Sequence, residues 1–132
     1  MTSSTARLAS RGSAQFFLLF AVTILAYVPI FSAGYIWDDD SYLTRNKTLT
    51  STDGLAEIWR TPRASPQYYP MVFSTFWLEH RLWGLNPTGY HVVNVLLHAA
   101  TAVFLWRLLL RLKLPGAWLA AAAFALHPVH VE

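Results

Sequence analysis

The chain has 132 residues, of which 55% are hydrophobic and 15% aromatic, and its mean hydropathy is +0.34. Only 13% of the residues are charged, about half the share in an ordinary soluble domain, and this favours a membrane protein. The net charge of +3 comes from ten basic residues that are scattered along the chain, so no nucleic-acid surface is indicated. No cysteine is present, which excludes disulfides and thiolate metal sites.

The first apolar segment follows a short basic tail. No residue from Gly12 to Trp37 is charged, and a helix of roughly 20 apolar residues is long enough to cross a bilayer. The alternative is a cleaved signal peptide, with Arg7 and Arg11 as its basic start. The apolar run is longer than the roughly 7–15 residues of a signal core, so we predict an uncleaved anchor.

Two more apolar segments follow a long loop, and the basic residues predict their orientation. Arginine and lysine mark the cytoplasmic side, and here they precede the first segment and lie at the turn between the other two. We predict an all-α membrane protein, the N-terminal fragment of a polytopic fold with three transmembrane helices. The predicted regions are a cytoplasmic tail (1–13), a first span (14–33), an outward periplasmic or luminal loop (34–89), a second span (90–110), a cytoplasmic turn (111–114), and a third span with an outward His-Pro element (115–132).

The long outward loop is predicted to contain two helices. The stretch from Asp53 to Trp59 indicates a short helix that ends before Pro62, and the stretch from Pro70 to Gly84 indicates a longer one. The longer helix reads as amphipathic, and tryptophans with a few charges favour the headgroup layer. We interpret it as an interfacial helix, although packing on the protein's own bundle is the alternative. Its apolar face is predicted to comprise Met71, Val72, Phe73, Phe76, Trp77 and Trp83, and its polar face Glu79, His80 and Arg81.

Three consecutive carboxylates, Asp38, Asp39 and Asp40, open this loop. Taken alone, they fit a solvated loop, a general base, or a pair that holds a divalent cation through oxygen ligands. Neighbouring side chains diverge in both helices and strands, so at most two of the three are expected to point into one site. The predicted topology places them on the same membrane face as the C-terminal segment.

Polar groups in and after the second span are further candidates. His91, Asn94 and His98 share one helical face, where a ladder of interhelical hydrogen bonds is expected, and His91 is nearest the proposed site. His127 and His130 are separated by Pro128, so they lack the helical spacing of a zinc peptidase, and no zinc site is predicted.

Several blocks together resemble a known family. They are Tyr35 to Asp39, Tyr69-Pro70, Leu82 to His98 and Phe124 to Glu132. In this order they resemble the N-terminal membrane region of the transmembrane-and-tetratricopeptide-repeat O-mannosyltransferases and their bacterial relatives. These enzymes belong to the GT-C superfamily of polyprenyl-phosphate-sugar-dependent glycosyltransferases.

The resemblance implies a membrane glycosyltransferase. It matches Asp38 and Asp39 to the family's catalytic pair and leaves Asp40 as the extra carboxylate. Such enzymes transfer mannose from a lipid-linked donor to a Ser or Thr hydroxyl, with inversion. We expect no certain cofactor, but Asp38 and Asp39 leave room for Mg²⁺ or Mn²⁺. The predicted substrate-binding residues are His91, His127, His130 and Glu132.

The resemblance also implies a location and leaves alternatives open. We expect a multi-pass protein of a bacterial inner membrane, or of the endoplasmic reticulum if the host is eukaryotic, and an isolated fragment without activity. One alternative is a non-catalytic anchor or assembly protein with downstream repeats. Another is a transporter, which would contain more intramembrane ionisable residues.

Overall fold

The structure, a computed structural model, describes residues 2–35 and 39–127, with side chains from Gly12 onward. Over these residues it is helical and contains no strand, as predicted. The elements in chain order are α1 (Thr2–Ala26), a 3-10 helix (Val28–Ser32), a π-helical turn (Asp40–Thr44), α2 (Lys47–Thr50), α3 (Gly54–Arg60), α4 (Pro70–Trp83), α5 (Pro87–Arg111) and α6 (Ala117–Leu126).

Within the described ranges, one helix is long and apolar enough to cross a membrane. This helix is α5, Pro87–Arg111, and it contains the predicted second span. The helical segments Gly12–Ala26 and Ala117–Leu126 are also apolar but shorter. The structure thus supports one span by length and composition.

The ends of α5 follow from its sequence. Pro87 occupies the first turn, where a missing N–H costs nothing, and the Asn86 side chain accepts a hydrogen bond from the Thr88 amide at 3.1 Å. Beyond Arg111 the chain turns through Lys113 and Gly116, which have φ angles of 57° and 72°. These left-handed residues separate α5 from α6.

The first compact unit comprises residues 1–30 and 92–132. Alanines at four-residue intervals, Ala117, Ala121 and Ala125, are buried on one face of α6, where small side chains let helices approach closely. Leu19 of α1 and Trp106 of α5 are buried in the same cluster.

His98 makes an interhelical hydrogen bond in this unit. Its Nε2 lies 3.0 Å from the carbonyl oxygen of Ala125 in α6, and the Tyr27 hydroxyl lies 3.3 Å from the same nitrogen. The structural role predicted for His98 is confirmed.

The second compact unit comprises residues 31–91. Helices α2 and α3 both pack against α4. The Asn46 side chain caps α2 by accepting from the Thr48 amide at 3.1 Å and from its hydroxyl at 2.6 Å. Both predicted loop helices are confirmed, as α3 and α4.

The predicted faces of α4 are partly wrong. Glu79, assigned to the polar face, is only 4% exposed. The inner face follows the three- and four-residue spacing from Phe73 through Phe76 to Trp83, and Glu79 lies three residues after Phe76. Residue polarity alone misplaced Glu79, because the packing of α4 in this unit determines which face is buried.

Candidate functional site

The candidate site begins with the three aspartates Asp38, Asp39 and Asp40, which we call the acidic segment. Asp38, one of the two predicted catalytic residues, lies outside the described residues. Asp39 is half-buried and immediately precedes the π-helical turn. Asp40 is exposed, and its carboxylate accepts from Arg45 Nη2 at 3.2 Å and from Thr44 Oγ1 at 3.1 Å. Asp39 is the described member of the predicted catalytic pair.

Behind the acidic segment lies a cluster of aromatic rings, which we call the aromatic cluster. The buried Tyr90 is at its centre, and the ring centroids of Tyr35, Phe76 and Trp83 lie 6.1, 6.0 and 6.3 Å from that of Tyr90. The Tyr90 hydroxyl donates to the Gly84 carbonyl at 2.8 Å. Tyr35, which lies four residues before Asp39, packs in this apolar cluster.

Tyr35 connects the acidic segment with this cluster. Burial raises the pKa of the Tyr35 phenol, and the negative charges of Asp39 and Glu79 raise it further. The hydroxyl is itself buried and has no hydrogen-bond partner among the described residues. The charges of two carboxyl groups that are 40 residues apart in sequence therefore both act on the Tyr35 phenol.

The second of these carboxyls, Glu79, was not predicted as a site residue. Its Oε2 atom is buried without a hydrogen-bond partner among the described residues. Burial raises the pKa of Glu79 to about 7, since an ionised carboxylate is poorly solvated there. The sequence does contain a signal for Glu79, because it lies three residues after Phe76 and four before Trp83 and so shares their helical face.

One predicted substrate-binding residue belongs to the same unit as this site. His91 is half-buried, and its Nε2 lies 3.3 Å from the carbonyl oxygen of Ala33, two residues before Tyr35. This contact ties the first turns of α5 to the segment that leads into the acidic residues.

The other predicted binding residues stay predictions for this site. His127 belongs to the first unit, where it is exposed and its amide lies 3.4 Å from the Phe124 carbonyl at the end of α6. His130 and Glu132 lie outside the described residues. The meeting of the acidic and C-terminal segments on one membrane face stays a prediction.

The ligand chemistry of the described residues is limited. Across residues 2–35 and 39–127, no group of three or more His, Asp or Glu side chains could hold a metal ion. Asp39 supplies one carboxylate, and Asp40 is already paired with Arg45. The described residues therefore do not form a complete divalent-cation site, and Mg²⁺ or Mn²⁺ at Asp38 and Asp39 stays a prediction.

Over the described residues, these features define an all-helical structure with one helix suited to a membrane span and an aromatic cluster that includes Tyr35, four residues before Asp39. The chain is similar to protein O-mannosyl-transferases of animals. It is 33% identical to Tmtc1 of Drosophila melanogaster over 85% of its own length and 14% of that protein. It is 33% identical to TMTC2 of Mus musculus over 85% of its length and 15% of that protein. A protein O-mannosyl-transferase of Caenorhabditis elegans is 26% identical over 93% of the chain and 20% of its own length.

These similarities support the family resemblance found in the sequence. The chain spans between 14% and 20% of the length of the curated relatives it matches. No protein-family model matches it, and no solved structure is significantly similar.

Proposed function

We propose that this chain is part of a membrane glycosyltransferase that transfers mannose to a hydroxyl acceptor such as a protein Ser or Thr. The observation that carries the proposal is the similarity of 85% or more of the chain to proteins named as protein O-mannosyl-transferases. The donor is a polyprenyl-phosphate sugar, and the fold is of the GT-C type, in a bacterial relative with downstream tetratricopeptide repeats.

Asp39, together with Asp38, acts as the general base in this proposal. A hydroxyl is a weak nucleophile, so a carboxylate within hydrogen-bond reach must accept its proton during attack. A single displacement of this kind forms the new glycosidic bond as the bond to the donor phosphate breaks, which inverts the anomeric carbon. The half-buried position of Asp39, whose negative charge raises the pKa of Tyr35, supports this role.

The leaving polyprenyl phosphate needs positive charge or hydrogen-bond donors. His91 is the best-placed described candidate, because it is fixed near the start of the acidic segment by its contact with Ala33. Arg45 and Lys47 are exposed basic groups a few residues beyond that segment. His127, His130 and Glu132 join the site only if the predicted topology brings the C-terminal segment to it.

The proposed topology keeps the N-terminus in the cytoplasm and has three spans within this chain. The length and composition of α5 support the second span, and the apolar segments Gly12–Ala26 and Ala117–Leu126 contribute to the first and third. The residues from 34 to 89 then form the outward catalytic loop.

Helix α4 lies at the membrane surface in this proposal. Met71, Leu78 and Leu82 follow one helical stripe and are 68%, 54% and 64% exposed. Exposed apolar side chains on one helical face are stabilised by the headgroup and acyl boundary of a bilayer. A helix in this position suits a donor whose sugar lies at the surface while its tail lies in lipid.

The proposal is tested with Asp39→Asn in the full-length protein, assayed for mannose transfer from a polyprenyl-phosphate donor to a Ser- and Thr-containing peptide. A general base contributes on the order of 100-fold or more, so a loss of about that size is expected. The control is Asp53→Asn, because the exposed Asp53 side chain makes no capping hydrogen bond. Unchanged transfer by Asp39→Asn contradicts the proposal and favours the non-catalytic anchor.

A further inference from the structure

Glu79 is a buried carboxyl that the proposed mechanism does not use. It is 4% exposed, and its Oε2 atom has no hydrogen-bond partner among the described residues. Glu79 makes no ion pair with any described residue, so no described cation compensates it. A buried carboxylate without a compensating partner is strongly disfavoured, whereas the protonated acid is tolerated.

The surroundings of Glu79 are apolar and aromatic. Phe76 and Trp83 lie one turn away on the same helix, and Tyr35 and Tyr90 complete the aromatic cluster. The charged groups of the elements packed on α4 are exposed, as are most of those on α4 itself. They are Lys47 on α2, Glu57 and Arg60 on α3, and Arg81 on α4, with His80 half-buried. Arg81 is held over the Trp77 ring, 4.6 Å from its centroid.

Tyr35 joins Glu79 to the acidic segment. Its hydroxyl, like the Glu79 carboxyl, is buried without a partner among the described residues, and it lies in the field of both Glu79 and Asp39. A change of charge at Glu79 therefore changes the electrostatic potential at Tyr35, four residues before Asp39. No other described carboxyl has both a buried, unpartnered oxygen and this connection.

We propose that Glu79 is a positioning residue of the candidate site, which in its neutral form keeps the aromatic cluster closed and Tyr35, four residues before Asp39, packed in it. This role rests on the proposed function, because Asp39 is the base only in that reaction. When Glu79 loses its proton to solvent, a negative charge is left in an apolar environment. The cluster then loosens, Tyr35 shifts, and transfer slows.

The test compares pH profiles of mannose transfer in the full-length protein, reconstituted in lipid nanodiscs with polyprenyl-phosphate mannose as the donor. The wild type is expected to lose activity at high pH, by about tenfold per pH unit above the pKa of Glu79 if the ionised form is inactive. Glu79→Gln, which is always neutral, is expected to remove this decline. Glu57→Gln, an exposed carboxyl on α3, is the matched control and should retain the wild-type profile.

Infrared difference spectroscopy gives a readout that does not depend on activity. Titration to high pH should remove a protonated-carboxyl band from the wild type and not from Glu79→Gln. A high-pH decline that persists in Glu79→Gln overturns the proposal. If that variant does not fold, Glu79→Asp replaces it. The proposal then expects the pH at which mannose transfer declines to differ from that of the wild type, and an unchanged pH overturns it.

The two proposals fail in different ways. If Asp39→Asn retains transfer, the proposed function fails while the infrared band still reports whether Glu79 carries a proton. If Asp39→Asn loses transfer but the wild-type and Glu79→Gln profiles coincide, the positioning role alone fails.

Discussion

The indole Nε1 of Trp77 donates a hydrogen bond to the carbonyl oxygen of Ser51, 3.1 Å away and 26 residues earlier in the chain. Arg81 Nη2 donates to the same oxygen at 2.9 Å. Two donors from α4 thus converge on the connection between α2 and α3. This convergence fixes α4 against the two short helices, and with it the buried face that carries Glu79.

Trp77→Phe should lower the stability of the second unit by about 1 kcal/mol, because it removes the N–H donor and keeps most of the ring. The measurement is denaturant unfolding of the full-length protein followed by circular dichroism. Trp59→Phe is the matched control, since this indole is 49% exposed and donates to the Ser74 hydroxyl at 3.0 Å. Trp59→Phe should lower the free energy of unfolding by less than about 0.5 kcal/mol. Equal losses in the two variants would contradict the role of the Ser51 contact.

Gly54→Ala should be poorly tolerated. A Cβ atom at Gly54 would collide with the backbone carbonyl of Thr48, which a side-chain rotation cannot relieve. We expect a loss of roughly 1–3 kcal/mol, as for an overpacked core, measured by the same unfolding transition. At Gly34 nothing lies within 4 Å of such a Cβ, so Gly34→Ala is the control. A wild-type transition for Gly54→Ala would show that α3 does not pack against α2 as described.

The stability of the second unit should depend on pH through Glu79. Its pKa is raised from 4.5 in the unfolded chain to about 7 in the folded one, so the folded state binds more protons between these values. This contribution to stability is therefore fully present below about pH 4.5, falls as pH rises from 4.5 to 7, and is gone above about 7, a loss on the order of 3 kcal/mol. Glu79→Gln should flatten this dependence in unfolding measured across the range. A dependence of the same size in the variant would assign it to another group.

Much of this organisation could be predicted from the sequence, because it depends on local signals. Pro70 and Gly84 mark the ends of α4. The helix predicted from Asp53 to Trp59 differs by one residue at each end from α3, Gly54–Arg60. The spacing of polar groups predicted the interhelical hydrogen bond of His98. These features need only capping preferences and helical periodicity.

The identity of the buried face of α4 could not be predicted in the same way. A carboxylate is usually exposed, so Glu79 was assigned to the polar face, whereas it is buried. The correct assignment depends on which surface α2, α3 and Tyr90 cover, and these contacts are remote in sequence. Asp39 and His91 were predicted as site residues, but Tyr35 and Glu79 were not. The interest of Tyr35 and Glu79 is that each has a buried oxygen without a hydrogen-bond partner among the described residues, and this depends on tertiary packing.

The absence of cysteine makes the proposed topology straightforward to test. Thr52→Cys places a thiol on the exposed part of the predicted outward loop, and Leu112→Cys places one in the predicted cytoplasmic turn. A membrane-impermeant thiol reagent should label Thr52→Cys in intact cells and label Leu112→Cys only after permeabilisation. The parent protein without the introduced cysteine is the control, and the reverse labelling pattern would contradict the orientation.

The most direct measurement is the anomeric configuration of the product formed by the purified full-length protein from polyprenyl-phosphate mannose and a Ser- and Thr-containing peptide. Nuclear magnetic resonance of the glycopeptide determines this configuration. A single displacement with Asp39 as base predicts mannose linked to the hydroxyl with the configuration opposite to that in the donor. Retention of configuration, or no transfer by folded protein, would contradict the account.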